Sequence, residues 1–471
     1  MHNRKQKIRA QFDFLAPNVD RWQRRNRYYH QDQAQYLRYV VGTGKRVLVL
    51  GCGTGDLLNA LSPGSGVGID ISPAIIEVAR RKYPHLRFEV ADADQFELPG
   101  ESGFDYIILS DLVGYVDDVQ LCLERLRRYC LPDTRIVVSY YNLLWQPMLK
   151  LGEKLGLKMP TPEQSWLSLA DLCNLLQLSD MQVVKSERRL LFPKYFPLLS
   201  WLLNHVGMLP GINTACLSHY VIARPADRIE PRDSSVTVVI PCRNERGNIE
   251  PAIRRMPAFG AAQEILFVDG HSTDGTQDEI RRVADLYPDR TIRLLAQEGI
   301  GKGDAVRQAF EAASGEILMI LDADLTVPPE DLPKFYRAIV CAQGEFISGC
   351  RLIYPMEDQA MQMLNLIANK CFALAFSWLL GQRLKDTLCG TKVLWRRDYQ
   401  AIARNRTYFG DIDPFGDFDL LFGASKLNLK IAEIPVRYQN RTYGETKIHR
   451  FRHGWLLLRM VVYGYRKLKA V

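Results

Sequence analysis

Asp322 and Asp324 follow the apolar run Ile317-Leu-Met-Ile-Leu321. An extended chain points successive side chains to opposite sides, so positions i and i+2 converge on one face. Two carboxylates delivered at the end of a buried strand suit a hard divalent cation such as Mg2+ or Mn2+, which takes oxygen ligands. Two earlier apolar runs end in a similar way. Val238-Val-Ile-Pro241-Cys-Arg243-Asn-Glu245 breaks into polar residues at its proline, and Ile265-Leu-Phe-Val268-Asp269-Gly-His-Ser272 ends on an acid and a turn. Gly299-Ile-Gly301-Lys302-Gly303 lacks the G-x-x-x-x-G-K-[ST] spacing of a phosphate loop and reads as lacking its strand-loop-helix setting. That excludes an NTPase but leaves Lys302 able to neutralise a diphosphate.

A different chemistry sits earlier in the chain. Val47-Leu-Val-Leu-Gly51-Cys-Gly53-Thr-Gly55 is an apolar strand running into a glycine turn and then a helical stretch. Glycines let a backbone approach a ligand closely, and a helix N-terminus favours polar or negative groups. Asp56 occupies the last position of the G-x-G-x-x-G fingerprint, which argues against a nicotinamide cofactor. Gly68-Ile-Asp70 then ends a second strand with an acid placed to accept from both hydroxyls of a ribose. Val90-Ala-Asp92-Ala93 and Leu109-Ser110-Asp111 end a third and a fourth. The cluster Tyr28-Tyr29-His30 reads equally as a cap on that site or as helix packing.

Strands must position these groups. Apolar runs at 46–50, 67–69, 87–90, 106–109 and 135–139 alternate with helical patterns, as do runs at 236–240, 264–268, 292–295, 317–321 and 431–435. Such alternation predicts α/β domains. Between the two sets, Arg224-Pro-Ala-Asp-Arg-Ile-Glu-Pro-Arg-Asp-Ser-Ser235 is charged, contains proline and has no apolar period. It reads as a linker, which predicts one domain over residues 1–226 and another over 227–471. No internal repeat relates them.

The first half resembles the class I S-adenosylmethionine-dependent methyltransferases, which have a Rossmann-like fold. The resemblance implies that Gly51, Gly53 and Gly55 pass beneath the methionine moiety and that Asp70, with neighbouring Ile71, holds the ribose. Asp92 and Ala93 would line the adenine, and Ser110 would lie near the transferred methyl. Val49 departs from the pattern, which usually has an acid there. No catalytic base is assigned, because alignment with the sulfonium often suffices for methyl transfer.

The second half resembles glycosyltransferase family 2, an inverting GT-A (nucleotide-diphospho-sugar transferase) fold. Asp386-Thr-Leu-Cys-Gly390-Thr-Lys392, Ile431-Ala-Glu433-Ile-Pro435 and Arg441-Thr-Tyr-Gly444-Glu-Thr-Lys447 bring it close to the dolichyl- and polyprenyl-phosphate mannose synthases. That resemblance implies a nucleoside held by Pro241, Arg243, Glu245, Val268 and Asp269, with Asp322, Ala323 and Asp324 at the metal and diphosphate. Arg351, Arg441 and Lys447 would bind the phosphate of a polyprenyl acceptor. Asp419, or Asp417, would be the base if the acceptor were a sugar hydroxyl; Asp419 reads otherwise as a partner of the arginines. His271 replaces the second acid of the usual Asp-Asp-Gly-Ser turn, which leaves a GDP- or UDP-linked donor open.

The expected activity is therefore bifunctional: metal-dependent transfer of a sugar to polyprenyl phosphate with inversion, and methyl transfer from S-adenosylmethionine to an acceptor the sequence does not specify. The alternative is a family 2 enzyme acting on a sugar hydroxyl in surface polysaccharide or glycolipid synthesis, its first half a non-catalytic docking module. Ten cysteines occur singly without C-x-x-C spacing, which reads as reduced thiols in a cytoplasmic protein. The N-terminus has no apolar core, so no signal peptide is expected.

The 471 residues carry 61 Lys and Arg against 53 Asp and Glu, a net charge of +8. The excess lies at the two ends: residues 1–28 hold eight basic side chains against two acids, and residues 441–471 hold eight against Glu445. No basic stripe interleaved with aromatics accompanies the cofactor motifs, so no nucleic-acid partner is expected. Runs at 190–212, 363–381 and 455–463 are too short, broken or polar to span a bilayer. The basic, apolar C-terminus instead suggests peripheral contact with the cytoplasmic face of a membrane.

Overall fold

The computed structural model describes residues 2–226, 232–354, 363–409, 416–441, 443 and 450–470. They fold into two compact units, Met1–Asp227 and Arg228–Ala470. The first is built on β1 (Arg46–Leu50), β2 (Ser65–Asp70), β3 (Arg87–Val90), β4 (Phe104–Ser110), β5 (Cys130–Tyr141), β6 (Met181–Arg189) and β7 (Ser218–Pro225). Their order across the sheet is β3-β2-β1-β4-β5-β7-β6. β1 through β5 pair in parallel, and β7 runs antiparallel between β5 and β6.

Both faces of this sheet are covered, so its central strands carry apolar side chains in both directions. Val47 and Val49 of β1 pack with Leu37 and Val40 of the helix Arg27–Val41. Leu48 and Leu50 pack on the other face with Leu123 and Leu172, from the helices Val119–Leu126 and Leu169–Leu178. Arg224 and Pro225, expected in the linker, instead end β7. The guanidinium of Arg224 grips Gln182 of β6 at 2.9 and 2.8 Å, so the sheet registers them.

The second unit contains β8 (Val236–Cys242), β9 (Gln263–Asp269), β10 (Thr291–Ala296), β11 (Ile317–Ile320), β12 (Phe346–Cys350), β13 (Lys392–Trp395) and β14 (Ile431–Pro435). The order is β10-β9-β8-β11-β13-β12-β14. The first four neighbours pair in parallel, and β13 runs antiparallel to both β11 and β12. Val238, Ile240, Phe267, Met319 and Val393 form its core with Ile253, Ile280 and Phe335 from the covering helices.

His219 on β7 is 7% exposed. Burial, with Arg188 adding repulsion, lowers its pKa from 6.5 to about 4. The folded chain therefore resists a proton that the unfolded chain accepts below 6.5, and stability from this site falls as pH drops from 6.5 towards 4. His219→Gln removes that loss. Urea unfolding across this range should show the variant gaining on wild type by up to about 3 kcal/mol, with no gain above the upper limit.

Candidate functional site

A cavity of about 940 Å3 opens at the carboxyl ends of β1 to β4. Gly51, Gly53, Asp70, Ile71, Asp92, Ala93 and Ser110 all line it. Gly51 and Gly53 sit at φ +68° and +53°, where a side chain is strained. Asp70 ties the turn to the second strand: its Oδ2 accepts the Gly53 N–H at 3.1 Å and its Oδ1 accepts the Ser72 N–H at 3.0 Å. Burial nevertheless raises its pKa. A carboxylate retains further acceptor capacity after two such bonds, which fits a ribose hydroxyl. A glycine-lined turn, this acid and a roomy cavity together fit S-adenosylmethionine.

Gly55 does not line the cavity. At φ +84° it begins the helix Asp56–Ala60, and a Cβ there would lie 2.8 Å from the ring of Phe88. A side chain at this position would crowd that ring. Val49 is fully buried in the core, so this position contributes no charge to the cavity.

Two features of the cavity are not evident from the motifs. The helix His2–Leu15 reaches it with Lys5, Ile8 and Phe12, and Lys5 Nζ pairs with Asp92 at 2.7 Å and Asp94 at 2.6 Å. The basic excess of residues 1–28 was the one signal for this. The second feature is Asp111, held at φ +51° just after β4. Its carboxylate accepts from Tyr29 Oη at 2.6 Å, Gln33 Nε2 at 3.1 Å and Ser139 Oγ at 3.3 Å, while burial raises its pKa. Tyr29 and His30 line the cavity, and burial lowers the His30 pKa to about 4. Tyr28 instead packs, with its hydroxyl 3.0 Å from Asn204 Nδ2.

In the second unit, Asp322 and Asp324 follow β11 and each meets a cation. Asp322 Oδ1 lies 2.6 Å from Lys302 Nζ. Burial opposes the charge on both groups, yet their mutual attraction keeps the Asp322 pKa below its ordinary value and that of Lys302 above it. Lys302 begins the helix Lys302–Ala312, entered from β10 through residues 297–301. That is a strand-loop-helix setting, contrary to the sequence reading, although the phosphate-loop spacing is still lacking. Gly390 lies against the ion pair: a Cβ there would overlap both Asp322 Oδ2 and Lys302 Nζ.

Asp324 Oδ1 accepts the Thr326 N–H at 3.1 Å and its hydroxyl at 2.8 Å. Its Oδ2 lies 2.6 Å from Arg441 Nη2, whose Nη1 is 3.8 Å from Glu245 Oε1. Glu245 also accepts from Asn248 Nδ2 at 2.7 Å. Arg441, Asp324 and Glu245 thus converge from three distant parts of the chain. Asp269 is buried; its Oδ2 accepts from Ser272 N and Gln277 Nε2 at 3.1 and 2.7 Å, while Oδ1 has no partner among the described residues. Such a buried acceptor suits the ring N–H of a nucleobase.

The other expected residues flank these acids: Pro241 pairs with Val268 across β8 and β9, and Ala323 lies between Asp322 and Asp324. Val268 is fully buried and Ala323 nearly so, whereas Pro241 is half-buried and Arg243 exposed. Arg351 grips the fully buried carboxylate of Asp386 with Nε at 2.7 Å and Nη2 at 2.8 Å. Burial resists that charge, but the guanidinium brings the Asp386 pKa down to about 2. Asp419 Oδ2 accepts from Arg406 Nε at 3.1 Å. Asp417 and Asp419 open the helix Asp417–Lys426, whose N-terminus favours both carboxylates. Lys447 lies outside the described residues. His271, at φ +59°, is exposed.

Two carboxylates with hard oxygens fit Mg2+ or Mn2+, provided a diphosphate and water complete the shell. Among the described residues no group of three or more candidate ligands occurs.

Residues 237–418 match the family described as glycosyl transferase family 2, and residues 3–186 match a methyltransferase domain family. The second half is 38% identical over 221 residues to the dolichol-phosphate mannosyltransferase of Pyrococcus furiosus, covering 45% of this chain and 59% of that protein. It is 25% identical over 218 residues to the undecaprenyl-phosphate 4-deoxy-4-formamido-L-arabinose transferase of Aeromonas hydrophila, covering 45% of this chain and 62% of that protein. The chain thus spans about three fifths of the length of either relative. Among solved structures, magnesium protoporphyrin IX methyltransferase from Synechocystis PCC 6803 with bound SAH aligns over 47% of this chain and 99% of its own, at 18% identity and a TM-score of 0.34.

Removing one partner of a buried ion pair leaves the other charge uncompensated. Arg351→Gln should therefore lower the stability of the second unit by roughly 3–5 kcal/mol in urea unfolding. Combining it with Asp386→Asn should restore much of that. If Arg351 served only to bind an acceptor phosphate, the single variant would unfold like wild type.

Proposed function

Because the chain carries an S-adenosylmethionine-dependent methyltransferase domain of Rossmann-like fold followed by a family 2 glycosyltransferase domain of GT-A fold, we propose that the second domain transfers a sugar from a GDP- or UDP-linked donor to a polyprenyl phosphate. The observation that carries this reading is the pairing of Asp322 with Lys302 and of Asp324 with Arg441 at the end of β11. A lipid phosphate is already an anionic nucleophile, so its attack needs no general base. It needs cations that let two polyanions approach. Lys302 would serve the donor diphosphate and Arg441 the acceptor phosphate.

In the reaction, an acceptor phosphate oxygen bonds to the anomeric carbon as the carbon–oxygen bond to the nucleoside diphosphate breaks, which inverts that carbon. A divalent metal held by Asp322 and Asp324 would supply charge stabilisation for the leaving diphosphate. Asp269 would accept from the nucleobase, and Glu245 would hold Arg441 in place. The names of the relatives above, which refer to dolichol phosphate and undecaprenyl phosphate, support this acceptor class.

For the first domain, S-adenosylmethionine would supply a methyl group on a sulfonium. Asp70 would hold its ribose, Gly51 and Gly53 its methionine moiety, and Asp92 and Ala93 its adenine. Ser110 and Asp111 would face the acceptor. We place the chain peripherally at the cytoplasmic face of a membrane. No helix among the described residues is long and apolar enough to cross one. On the helix Arg450–Gly464, Trp455, Leu458 and Val462 are exposed while Leu457 and Met460 are buried, so one apolar face packs and another is offered outward.

Asp322→Asn and Asp324→Asn are each expected to reduce sugar transfer to polyprenyl phosphate at least roughly a hundredfold, while S-adenosylmethionine binding by calorimetry stays at the wild-type value. Full transfer by both variants would remove the metal assignment. The acceptor class is checked separately. A phosphate acceptor should tolerate Asp417→Asn and Asp419→Asn better than Arg441→Ala; a sugar hydroxyl would reverse that order, because one of these acids would then be the base.

A further inference from the structure

The helix Leu199–Gly207 is inverted. Its buried side is made by Ser200, Asn204 and Gly207, while Leu199, Trp201 and Leu202 are 48, 61 and 52% exposed. Asn204 is fixed inward: its Oδ1 accepts the Phe192 N–H at 2.7 Å and its Nδ2 donates to the Phe192 carbonyl at 3.1 Å. Leu198, just before the helix, is 85% exposed at φ +60°, a conformation that costs energy for a branched side chain. A water-facing helix has the opposite pattern.

A second segment extends the same apolar surface. Leu144, Met148 and Leu155 are 69, 60 and 62% exposed. The two segments are tied together, since Trp145 Nε1 donates to the Ala215 carbonyl and Asn142 Nδ2 to those of Thr214 and Cys216, each at 2.8 Å. Both also line the cavity, one through Met148 and Leu149, the other through Pro193 and Lys194. An exposed apolar area this extensive marks an interaction surface.

Charge identifies the occupant. From Leu190 to Ser218 the chain contains no Asp or Glu. In 142–158 the one acid, Glu153, is paired with Lys158 at 2.5 Å, while Lys150 and Lys154 are exposed. Arg24 also lines the cavity, and Arg25 and Arg27 beside it are exposed. A second copy seated on this face would bring like-charged rims together. An anionic bilayer offers both an apolar interior and a complementary surface.

We propose that the first unit seats on an anionic lipid bilayer through residues 143–157 and 193–212, and that its cavity receives a methyl acceptor anchored in that bilayer. The acceptor class rests on the methyltransferase reading of the cavity; the docking face does not. The acceptor is an amphiphile whose head enters beside Asp111 while its tail stays with the lipid.

The test uses the full chain and cosedimentation with vesicles of phosphatidylethanolamine and phosphatidylglycerol, or of phosphatidylcholine alone. Wild type should prefer the anionic vesicles. The triple variant Leu198→Ser, Trp201→Ser, Leu202→Ser, and separately Leu144→Ser with Leu155→Ser, should each lower partitioning by about tenfold or more while keeping wild-type S-adenosylmethionine affinity by calorimetry. Unchanged partitioning in both variants overturns the proposal. So does a wild-type dimer, seen in lipid-free sedimentation velocity, that the triple variant converts to monomer. If wild type fails to bind S-adenosylmethionine, the reading of the cavity and the acceptor class fail, and the vesicle measurements still decide the docking face.

Discussion

A parallel sheet covered on both faces admits charge only where its strands end. Val47, Leu48, Val49 and Leu50 are fully buried, as are Val238, Val239 and Ile240 in the second unit. An ionised group in such a strand would have no water and no partner. The carboxyl ends are different, because the chain there leaves the sheet and its turns offer free N–H groups. Asp70, Asp92 and Asp111 gather at that edge in one unit, and Asp269, Asp322 and Asp324 do so in the other. Everything else about the two sites answers the question of what compensates these carboxylates.

The two units answer it differently. Asp70 is met by the backbone N–H groups of Gly53 and Ser72, which belong to the same turns that shape the cavity. Asp322 and Asp324 are met by side-chain cations brought from afar, Lys302 from a helix start and Arg441 from 117 residues further on. Gly390 lies against the Lys302–Asp322 pair, and a side chain there would force one of its ends to move. In the second unit acids and cations therefore balance one another side chain to side chain, whereas in the first the backbone compensates Asp70.

The strands were the most legible part of the sequence. Arg46–Leu50, Arg87–Val90 and Ile431–Pro435 occur with the expected limits, because their apolar runs stop at turn-forming residues. β6, β7, β12 and β13 were not foreseen: β6 is charged along much of its length, and β13 is only four residues long. Spacing brought Gly51, Gly53, Asp70 and Asp92 to one cavity, but it could not show that Phe88, from another strand, crowds Gly55. Spacing also could not reveal that Arg351 faces Asp386 or that Lys5 crosses to Asp92. Both are contacts between residues far apart in sequence, and no local pattern encodes them. The inverted helix Leu199–Gly207 lay within a run that was read only as too broken to span a membrane.

The position that departs most plainly from the expected cofactor pattern, Val49, bears on whether the first unit is a catalyst or a docking module. Its side chain is enclosed with Leu37, Val40 and Ile108, so an acid there would need buried donors of its own, and valine removes that requirement without disturbing the cavity wall. The polar groups of the cavity lie elsewhere. Asp111 is buried, held at a positive φ, and satisfied by Tyr29, Gln33 and Ser139. Burying a carboxylate in this way costs folding energy, and strained, desolvated acids concentrate where a protein handles ligands. A unit that served only to dock would gain nothing from maintaining that network beside a cavity of about 940 Å3. The arrangement at Asp111, more than the glycine turn, is what favours chemistry in the first unit.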